Sequence, residues 1–151
     1  VLSNLLWAAW GVNRADGRRT APSASNRQEI EIYVAAPDGV YLYDARENRL
    51  QPVVAGDMRG ETGTQPFVKN AAVDLVYVAD LDKMGQGTEE SKAVLAAYDT
   101  GFIAENVYLF CASEGLGVVV RASVDRAALG KCLKLRPTQR ITLSQSVGLA
   151  K

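Results

Sequence analysis

The segment Val73–Asp80, "VDLVYVAD", is the most informative stretch for the fold because it is almost continuously apolar and rich in β-branched residues. A strand with one face in solvent alternates apolar and polar residues, whereas a strand covered on both faces can be apolar throughout. The segment therefore predicts a central strand of a sheet, with packed layers on both of its faces.

Further strands are predicted on both sides of this segment. Upstream, residues 29–44 contain two strand-like runs separated by the turn signature "PDG", which indicates a hairpin. A short run, "LQPVV", follows, and Pro52 would place it at a sheet edge because proline cannot donate a ladder hydrogen bond. Downstream, the runs "LGVVV" and "ITLSQSVG" predict two more strands, separated by a short helix. With a helix over 1–10, this order predicts an α+β domain around one sheet.

The longest predicted element is a helix over 90–114, and its segment 93–113 is apolar nearly all round rather than along one stripe. A helix of this kind needs cover on every side. Membrane insertion would bury Asp99 and Glu105 in hydrocarbon at a cost of several kcal/mol. We therefore predict an obligate homodimer with this helix at the interface. The alternative is a central helix that is covered only by its own chain.

The composition excludes several classes of function. The 17 basic and 17 acidic residues balance to zero net charge, which argues against a nucleic-acid-binding protein. The chain has no histidine, so a Ser-His-Asp triad is impossible and the commonest metal ligand is missing. The loop carboxylates also lack the spacing of a calcium site. Cys111 and Cys132 have no CxxC partner, and we expect free, buried thiols of a reducing compartment rather than a zinc site.

The segment 20–28, "TAPSASNRQ", is the strongest candidate for a binding function and is called the lip below. Its Ser, Asn and Gln side chains offer hydrogen-bond donors and acceptors, Pro22 and Ala24 keep the path stiff, and three arginines lie beside it. A protein without catalytic side chains can run redox chemistry when a cofactor carries it, and such a segment is suited to hold one. The alternative is an ordinary solvated loop, because segments of this composition are common.

The stretch "RRTAPSASNRQEIEIYV" resembles the flavin-binding segment of the FMN-dependent nitroreductase family, in which Pro-Ser-small-x-Asn-x-Gln leads directly into a core strand. Three further stretches are similar to family segments: "TGTQPFVKNAAVDLVYVAD", "DTGFIAENVYLFCASEGLGVVVRASVD" and "ITLSQSVGLAK". They resemble, in turn, the loop before the central strand, the dimer helix with the strand that meets the flavin, and the closing strand. The similarity covers almost the whole chain and is greatest to short members near the thiazoline/oxazoline oxidase-like branch.

The resemblance implies a single FMN-binding domain over 1–151, with a nitroreductase-like mixed central sheet flanked by helices in an interlocked homodimer. Lip residues of one subunit would contact FMN bound mainly by the other. A backbone N–H near Ala122 would donate to flavin N5. Thr64 or Gln65 would reach the pyrimidine side of the ring, and Lys151 would approach the phosphate. The implied cofactor-binding residues are Pro22, Ser23, Ala24, Asn26, Gln65, Arg121, Ala122, Ser123 and Lys151.

The resemblance also implies the chemistry. It indicates an oxidoreductase that transfers hydride from NADH or NADPH through flavin N5 to a nitroaromatic, quinone or similar acceptor, without a catalytic side chain or a metal of its own. Two alternatives stay open: a flavin-dependent oxidase or dehydrogenase of a modified peptide or another small molecule, and a non-catalytic dimeric flavin-binding module. For Arg121 the alternative is a surface cation at a strand end, and for Gln65 a loop residue without a role.

The start of the chain bears on how the cofactor would be held. Val1 lies inside a helix-like pattern without a preceding cap, so we expect a further N-terminal segment before it. The family usually holds the FMN phosphate with an arginine-rich segment ahead of its first long helix, and that segment would lie before Val1. A cytoplasmic location is favoured, with export left open. Neither a nucleic-acid partner nor a transmembrane segment is expected.

Overall fold

The structure, a computed structural model, describes residues 1–150, and the predicted contact of Lys151 lies outside the described residues. Within residues 1–150, three α-helices and six strands make up the fold. The helices are α1 (Leu2–Trp10), α2 (Glu89–Glu114) and α3 (Arg126–Cys132). The strands are β1 (Ile30–Ala36), β2 (Gly39–Asp44), β3 (Arg49–Ala55), β4 (Val73–Asp80), β5 (Leu116–Arg121) and β6 (Gln139–Leu149).

The six strands of the described chain form one sheet in the order β3-β2-β1-β4-β6-β5. The predicted α+β class is confirmed, although each strand pairing is antiparallel, so the sheet is antiparallel rather than mixed. Strand β4 lies between β1 and β6, and its residues from Asp74 to Asp80 are buried, which confirms the predicted central strand. Strand β3 lies at an edge, where Pro52 is tolerated.

Different layers cover the two faces of the sheet. On one face, Trp10 of α1 and Ile103 of α2 belong to the same core as Tyr77 of β4. On the other face, Leu129 of α3 packs in a core with Val76 of β4. Successive side chains of a strand point to opposite faces. Tyr77 and Val76 therefore enter different cores, which explains why this strand has no polar face.

Capping residues define both ends of α2. At the start, Thr88 Oγ1 accepts a hydrogen bond from the Ser91 N–H (3.1 Å). Glu89 and Glu90 lie in the first turn, where acidic side chains offset the positive end of the helix dipole. At the end, Gly115 adopts a left-handed conformation with φ 67° and caps the helix.

The outward face of α2 is mostly apolar, with the exposed acid Glu105 on the same side. Val94, Tyr98, Phe102 and Leu109 are 44%, 62%, 50% and 62% exposed, and we call these four side chains the outer stripe. Their helical spacing places them on one side of α2. The opposite side of α2, which includes Ile103, is buried against the sheet. None of the helices in the described part of the chain combines the length and apolarity that a membrane span requires.

Candidate functional site

The lip has a strained backbone. Ser25, Asn26 and Gln28 have positive φ angles of 53°, 52° and 52°. The left-handed conformation is uncommon for residues with a side chain and costs about 1–2 kcal/mol per residue. Residues of this kind persist only where their surroundings hold them, and they cluster at binding sites. The lip is therefore a segment whose shape the rest of the fold imposes.

Hydrogen bonds inside the lip and to α2 hold this shape. The Ala24 N–H donates to Asp99 Oδ2 of α2 (2.8 Å). The Gln28 N–H donates to Ser23 Oγ (3.0 Å), and the Asn26 N–H donates to the Ser23 carbonyl (2.9 Å). Two further bonds inside the lip run from the Arg27 N–H to the Ala24 carbonyl (3.2 Å) and from Gln28 Nε2 to Asn26 Oδ1 (3.0 Å). The lip is thus tied to α2 through Asp99 and closed on itself by internal hydrogen bonds, while Asn26 stays exposed.

A second buried acid lies next to the anchor of the lip. Glu29, just before β1, and Asp99 are both buried. Among residues 1–150, the two carboxyl oxygens of Glu29 have no donor if the group is ionised. Burial, and next the hydrogen bond to Asp99, raise the pKa of Glu29 to about 7, whereas the charge of Arg27 opposes the shift. Below neutral pH, a protonated Glu29 therefore donates to the carboxylate that anchors the lip.

Arg19 connects the lip to α1. Its guanidinium lies over the ring of Trp10, 4.6 Å from the centroid. Its Nε donates to Gln28 Oε1 (2.9 Å), and its Nη1 donates to the Trp10 carbonyl (2.9 Å). Burial lowers the pKa of Arg19, and the ring stacking with both hydrogen bonds offsets the cost of burying this charge. Arg19 is therefore part of the framework of the lip.

Arg121, at the end of β5, is buried. Its Nη2 donates to Asp74 Oδ1 (2.9 Å), and its Nη1 donates to the Thr62 carbonyl (2.9 Å). Burial lowers the pKa of Arg121, and the charge of Asp74 opposes that shift. The alternative in which Arg121 is a surface cation is wrong, because its side chain is enclosed in an ion pair. The contact of Arg121 with a flavin ring stays a prediction, and it would involve the backbone.

The loop that Arg121 contacts also lies against the residues after β5. The Thr64 N–H donates to the Ser123 carbonyl (3.1 Å). Ala122 and Ser123 are exposed, whereas Gln65 is half-buried. The Oε1 atom of Gln65 is buried without a partner among the described residues, and such an acceptor needs water or a bound group. We call Thr64, Gln65, Ala122 and Ser123 the β5 rim.

Across residues 1–150, no hydrogen bond joins the lip to the β5 rim. The resemblance places both in one cofactor site only across two subunits, and that arrangement stays a prediction. Sequence reasoning missed Glu29 and Asp99 as supports of the lip. The signal was present in Asp99, an acid inside an otherwise apolar helix segment. The described part of the chain contains no cluster of three or more Cys, Asp or Glu side chains placed to hold a metal ion.

Comparisons with known proteins agree with this geometry. A family model described as the nitroreductase family matches residues 1–149. A nitroreductase-like protein of Methanocaldococcus jannaschii is 30% identical over 145 residues, which cover 89% of this chain and 73% of that protein.

Solved structures show the same fold. A nitroreductase-like protein of Ralstonia eutropha is 44% identical with a TM-score of 0.93, covering 99% of this chain and 72% of that chain. The NADPH:FMN oxidoreductase of Vibrio harveyi, solved with NAD+, is 21% identical with a TM-score of 0.69, covering 98% of this chain and 58% of that chain. From the match of the family model over nearly the whole sequence, we conclude that this chain belongs to the nitroreductase family.

Proposed function

We propose that this protein is an FMN-dependent oxidoreductase that takes hydride from NADH or NADPH and passes it to a nitroaromatic, quinone or similar acceptor. Membership of the nitroreductase family supports a flavin oxidoreductase in general, and the Vibrio harveyi relative is by name an NADPH:FMN oxidoreductase. The observation that carries the proposal is the strained lip. Asp99 and Arg19 support a segment with three left-handed residues, whereas the other non-glycine residues of this conformation in the described chain, Asn48 and Lys134, occur singly.

The described residues fit the chemistry of FMN. Its ring system is flat, with donors and acceptors along one edge, so a site needs polar groups beside a stacking surface. The lip offers exposed amide and hydroxyl groups, and the β5 rim contains the exposed Ala122 and the buried Gln65 Oε1, which has no partner among the described residues. We propose the following cofactor-binding residues: Pro22, Ser23, Ala24, Asn26, Gln65, Arg121, Ala122, Ser123 and Lys151.

FMN, when bound, would supply the redox chemistry by accepting hydride at N5 and passing it on. The residues of this chain would bind and orient it. A backbone N–H near Ala122 would donate a hydrogen bond to N5, and Gln65 would contact the pyrimidine side. The lip would form a rigid polar wall beside the ring and limit the access of water.

We also propose that the functional unit is a homodimer in which α2 packs against α2 of a second copy. The outer stripe leaves large apolar side chains in solvent, and contiguous patches of this kind mark protein interfaces. Asp99 ties the lip to the same helix. Pairing of two α2 helices would therefore bring the lip of one subunit close to the other subunit, where the β5 rim completes a shared site.

The absorbance spectrum of the purified protein tests the redox proposal. We expect a yellow protein that NADH or NADPH bleaches and that a nitroaromatic or quinone recolours. A yellow protein that neither nucleotide bleaches would favour the oxidase or dehydrogenase alternative. A colourless protein that takes up no FMN would contradict the proposal.

The substitution Asn26→Ala tests the role of the lip. Asn26 and Asn48 are both left-handed, with φ angles of 52° and 47°, so Asn48→Ala imposes the same backbone strain at a turn far from the lip in sequence. We expect Asn26→Ala to weaken FMN retention more than Asn48→Ala. Equal flavin occupancy in the two variants, measured by absorbance after gel filtration, would remove the role assigned to the lip.

Sedimentation of a charged variant tests the dimer. Phe102 of the outer stripe is 50% exposed, and Phe67, outside α2, is 46% exposed. We expect Phe102→Glu to shift the protein toward monomer and to lower its flavin content, because a charge cannot be buried in an apolar interface without a partner. Phe67→Glu should stay dimeric. A wild-type protein that is a folded monomer at micromolar concentration would contradict the shared site.

A further inference from the structure

We propose that a pocket beside the lip binds a phosphoryl group. The molecules considered as carriers of this group are those of the proposed function, on which this part of the proposal rests. The pocket lies between the loop 14–19 and the lip and has a volume of about 500 Å³. We call it the arginine pocket, and its polar lining residues are Arg14, Arg18, Arg19, Thr20, Ser23, Ser25 and Asn26. Among the described residues, none of those that line it is acidic.

Backbone hydrogen bonds hold the loop that carries these arginines. The Asn13 N–H donates to the Arg18 carbonyl (3.1 Å). The Gly17 N–H donates to the Arg14 carbonyl (3.0 Å), and Gly17 takes a φ of 81°, which a residue with a side chain rarely adopts. The arginines therefore stand on a closed turn, at fixed positions relative to the lip.

Two hydrogen bonds orient the guanidinium of Arg14 but use only one of its nitrogen atoms. Its Nη1 donates to the Arg19 carbonyl (2.8 Å) and to Asn13 Oδ1 (3.1 Å). Within residues 1–150, its Nε and Nη2 groups have no protein acceptor. These two groups form the side-on fork with which arginine binds two oxygens of one anion. Arg14 can thus bind an anionic ligand through its Nε and Nη2 groups.

The charge of Arg18 is only weakly neutralised. Within the described chain its carboxylate contact is Asp16, at 3.5 Å, and the two side chains are 63% and 54% exposed. An ion pair of this kind contributes little in water. In contrast, the buried Arg121 contacts Asp74 at 2.9 Å. The arginine pocket therefore keeps a positive charge in a protein whose net charge is zero.

Two hydroxyl groups in the lining of the arginine pocket also favour a phosphoryl ligand. Thr20 Oγ1 is buried without a partner among residues 1–150, although a buried hydroxyl is normally hydrogen-bonded. Ser23 Oγ accepts the N–H of Gln28, and its proton stays able to donate to a ligand. Arg14, Arg18 and Ser23, which line the pocket, thus offer guanidinium and hydroxyl donors to one ligand, and the buried Thr20 hydroxyl lies in the same lining. A phosphoryl group, with three acceptor oxygens, matches this set better than a carboxylate with two.

Two molecules of the proposed reaction carry phosphoryl groups: FMN and the nicotinamide nucleotide. The double variant Arg14→Gln/Arg18→Gln distinguishes them when each ligand is compared with an analogue that lacks phosphate. The analogues are riboflavin for FMN and 1-benzyl-1,4-dihydronicotinamide for NADPH. Arg46→Gln/Arg49→Gln is the matched control, because Arg46 and Arg49 are exposed, lie on the β2–β3 hairpin and do not line the arginine pocket.

If the pocket holds the FMN phosphate, we expect the double variant to weaken FMN binding about tenfold or more, with riboflavin binding unchanged. If it holds the nucleotide, we expect a similar rise in KM for NADPH, with the rate from 1-benzyl-1,4-dihydronicotinamide unchanged. Both outcomes support the proposal. Unchanged FMN binding together with unchanged KM for NADPH overturns it. An equal loss for each phosphate ligand and its phosphate-free analogue also overturns it.

A direct titration with inorganic pyrophosphate, followed by calorimetry, separates this proposal from the redox proposal. We expect the wild type and the control variant to bind pyrophosphate at least about tenfold more tightly than the double variant does. A protein that binds pyrophosphate in this manner but takes up neither flavin would contradict the redox function alone. Equal binding by the wild type and the double variant would overturn the phosphoryl pocket, whatever the flavin result.

Discussion

The end of β5 and the region of the lip both carry arginine side chains, and the fold uses them in opposite ways. At β5, Arg121 is 5% exposed, and its donors reach Asp74 and Thr62. Beside the lip, the Arg18 side chain is 63% exposed and contacts Asp16 at 3.5 Å. A buried guanidinium needs a close acceptor because its desolvation costs several kcal/mol, whereas an exposed one stays available to a ligand.

The two regions differ in their backbone as well. Strand β5 is regular and pairs with β6 from Leu116 to Arg121. The lip contains Ser25, Asn26 and Gln28 in the left-handed region. The difference teaches that the end of β5 is regular strand with a buried ion pair, whereas the lip contains three residues in a strained conformation. Three substitutions can break or sharpen this comparison, and they follow from the largest expected effect to the smallest.

Asp74→Ala should give the largest effect. It leaves the buried Arg121 without its carboxylate and removes the acceptor of the Ser146 hydroxyl. We expect the free energy of unfolding, measured with denaturant, to fall by about 3–5 kcal/mol. Asp57→Ala is the control, since Asp57 contacts Arg59 at 2.7 Å but its side chain is 44% exposed. A similar loss in both variants would show that burial is not what makes the β5 ion pair important.

Glu29→Gln should change how stability depends on pH. The pKa of Glu29 is raised from 4.5 to about 7 in the folded protein, so the native state binds a proton more tightly than the unfolded chain. Stability from this group is therefore complete below pH 4.5 and is lost as pH rises through about 7, by an amount of the order of 3 kcal/mol. An amide can donate to Asp99 at any pH.

We therefore expect the free energy of unfolding of wild type to fall between pH 4.5 and 7 relative to Glu29→Gln. Glu47→Gln, at an exposed turn, should follow wild type. Denaturant titrations at several pH values measure the difference. Parallel pH profiles for wild type and Glu29→Gln would mean that the acid pair does not control the anchor of the lip.

Ser25→Gly should give the smallest effect on stability and should separate stability from binding. Glycine adopts the φ of 53° without strain, so we expect a gain of up to about 1 kcal/mol. Lys134→Gly, at φ 55°, is a control with the same backbone change outside the lip. Both variants should melt at a higher temperature, but only Ser25→Gly should bind FMN less tightly. Equal flavin binding would indicate that the strain of the lip has no functional role.

Much of the fold could be predicted from local pattern. The continuous apolar run of β4, the "PDG" turn before β2 and the glycine after α2 each specify their element through side-chain periodicity or backbone conformation. The candidate site was predictable only as segments. From the sequence, Arg121 could equally be an exposed cation at the end of a strand. Only the folded structure shows that it is buried, because it contacts Asp74, which is 47 positions away in sequence.

The sequence by itself determined the α+β class, the central strand, the length of α2 and the polar character of the lip, because those properties depend on residues that are neighbours along the chain. Tertiary structure alone decided which arginine is buried and which is exposed, that Asp99 accepts the N–H of Ala24, and that burial raises the pKa of Glu29. These outcomes depend on groups that are far apart in sequence and meet only after folding. Burial raises the free energy of a charged group unless an opposite charge or a hydrogen-bond partner lies beside it.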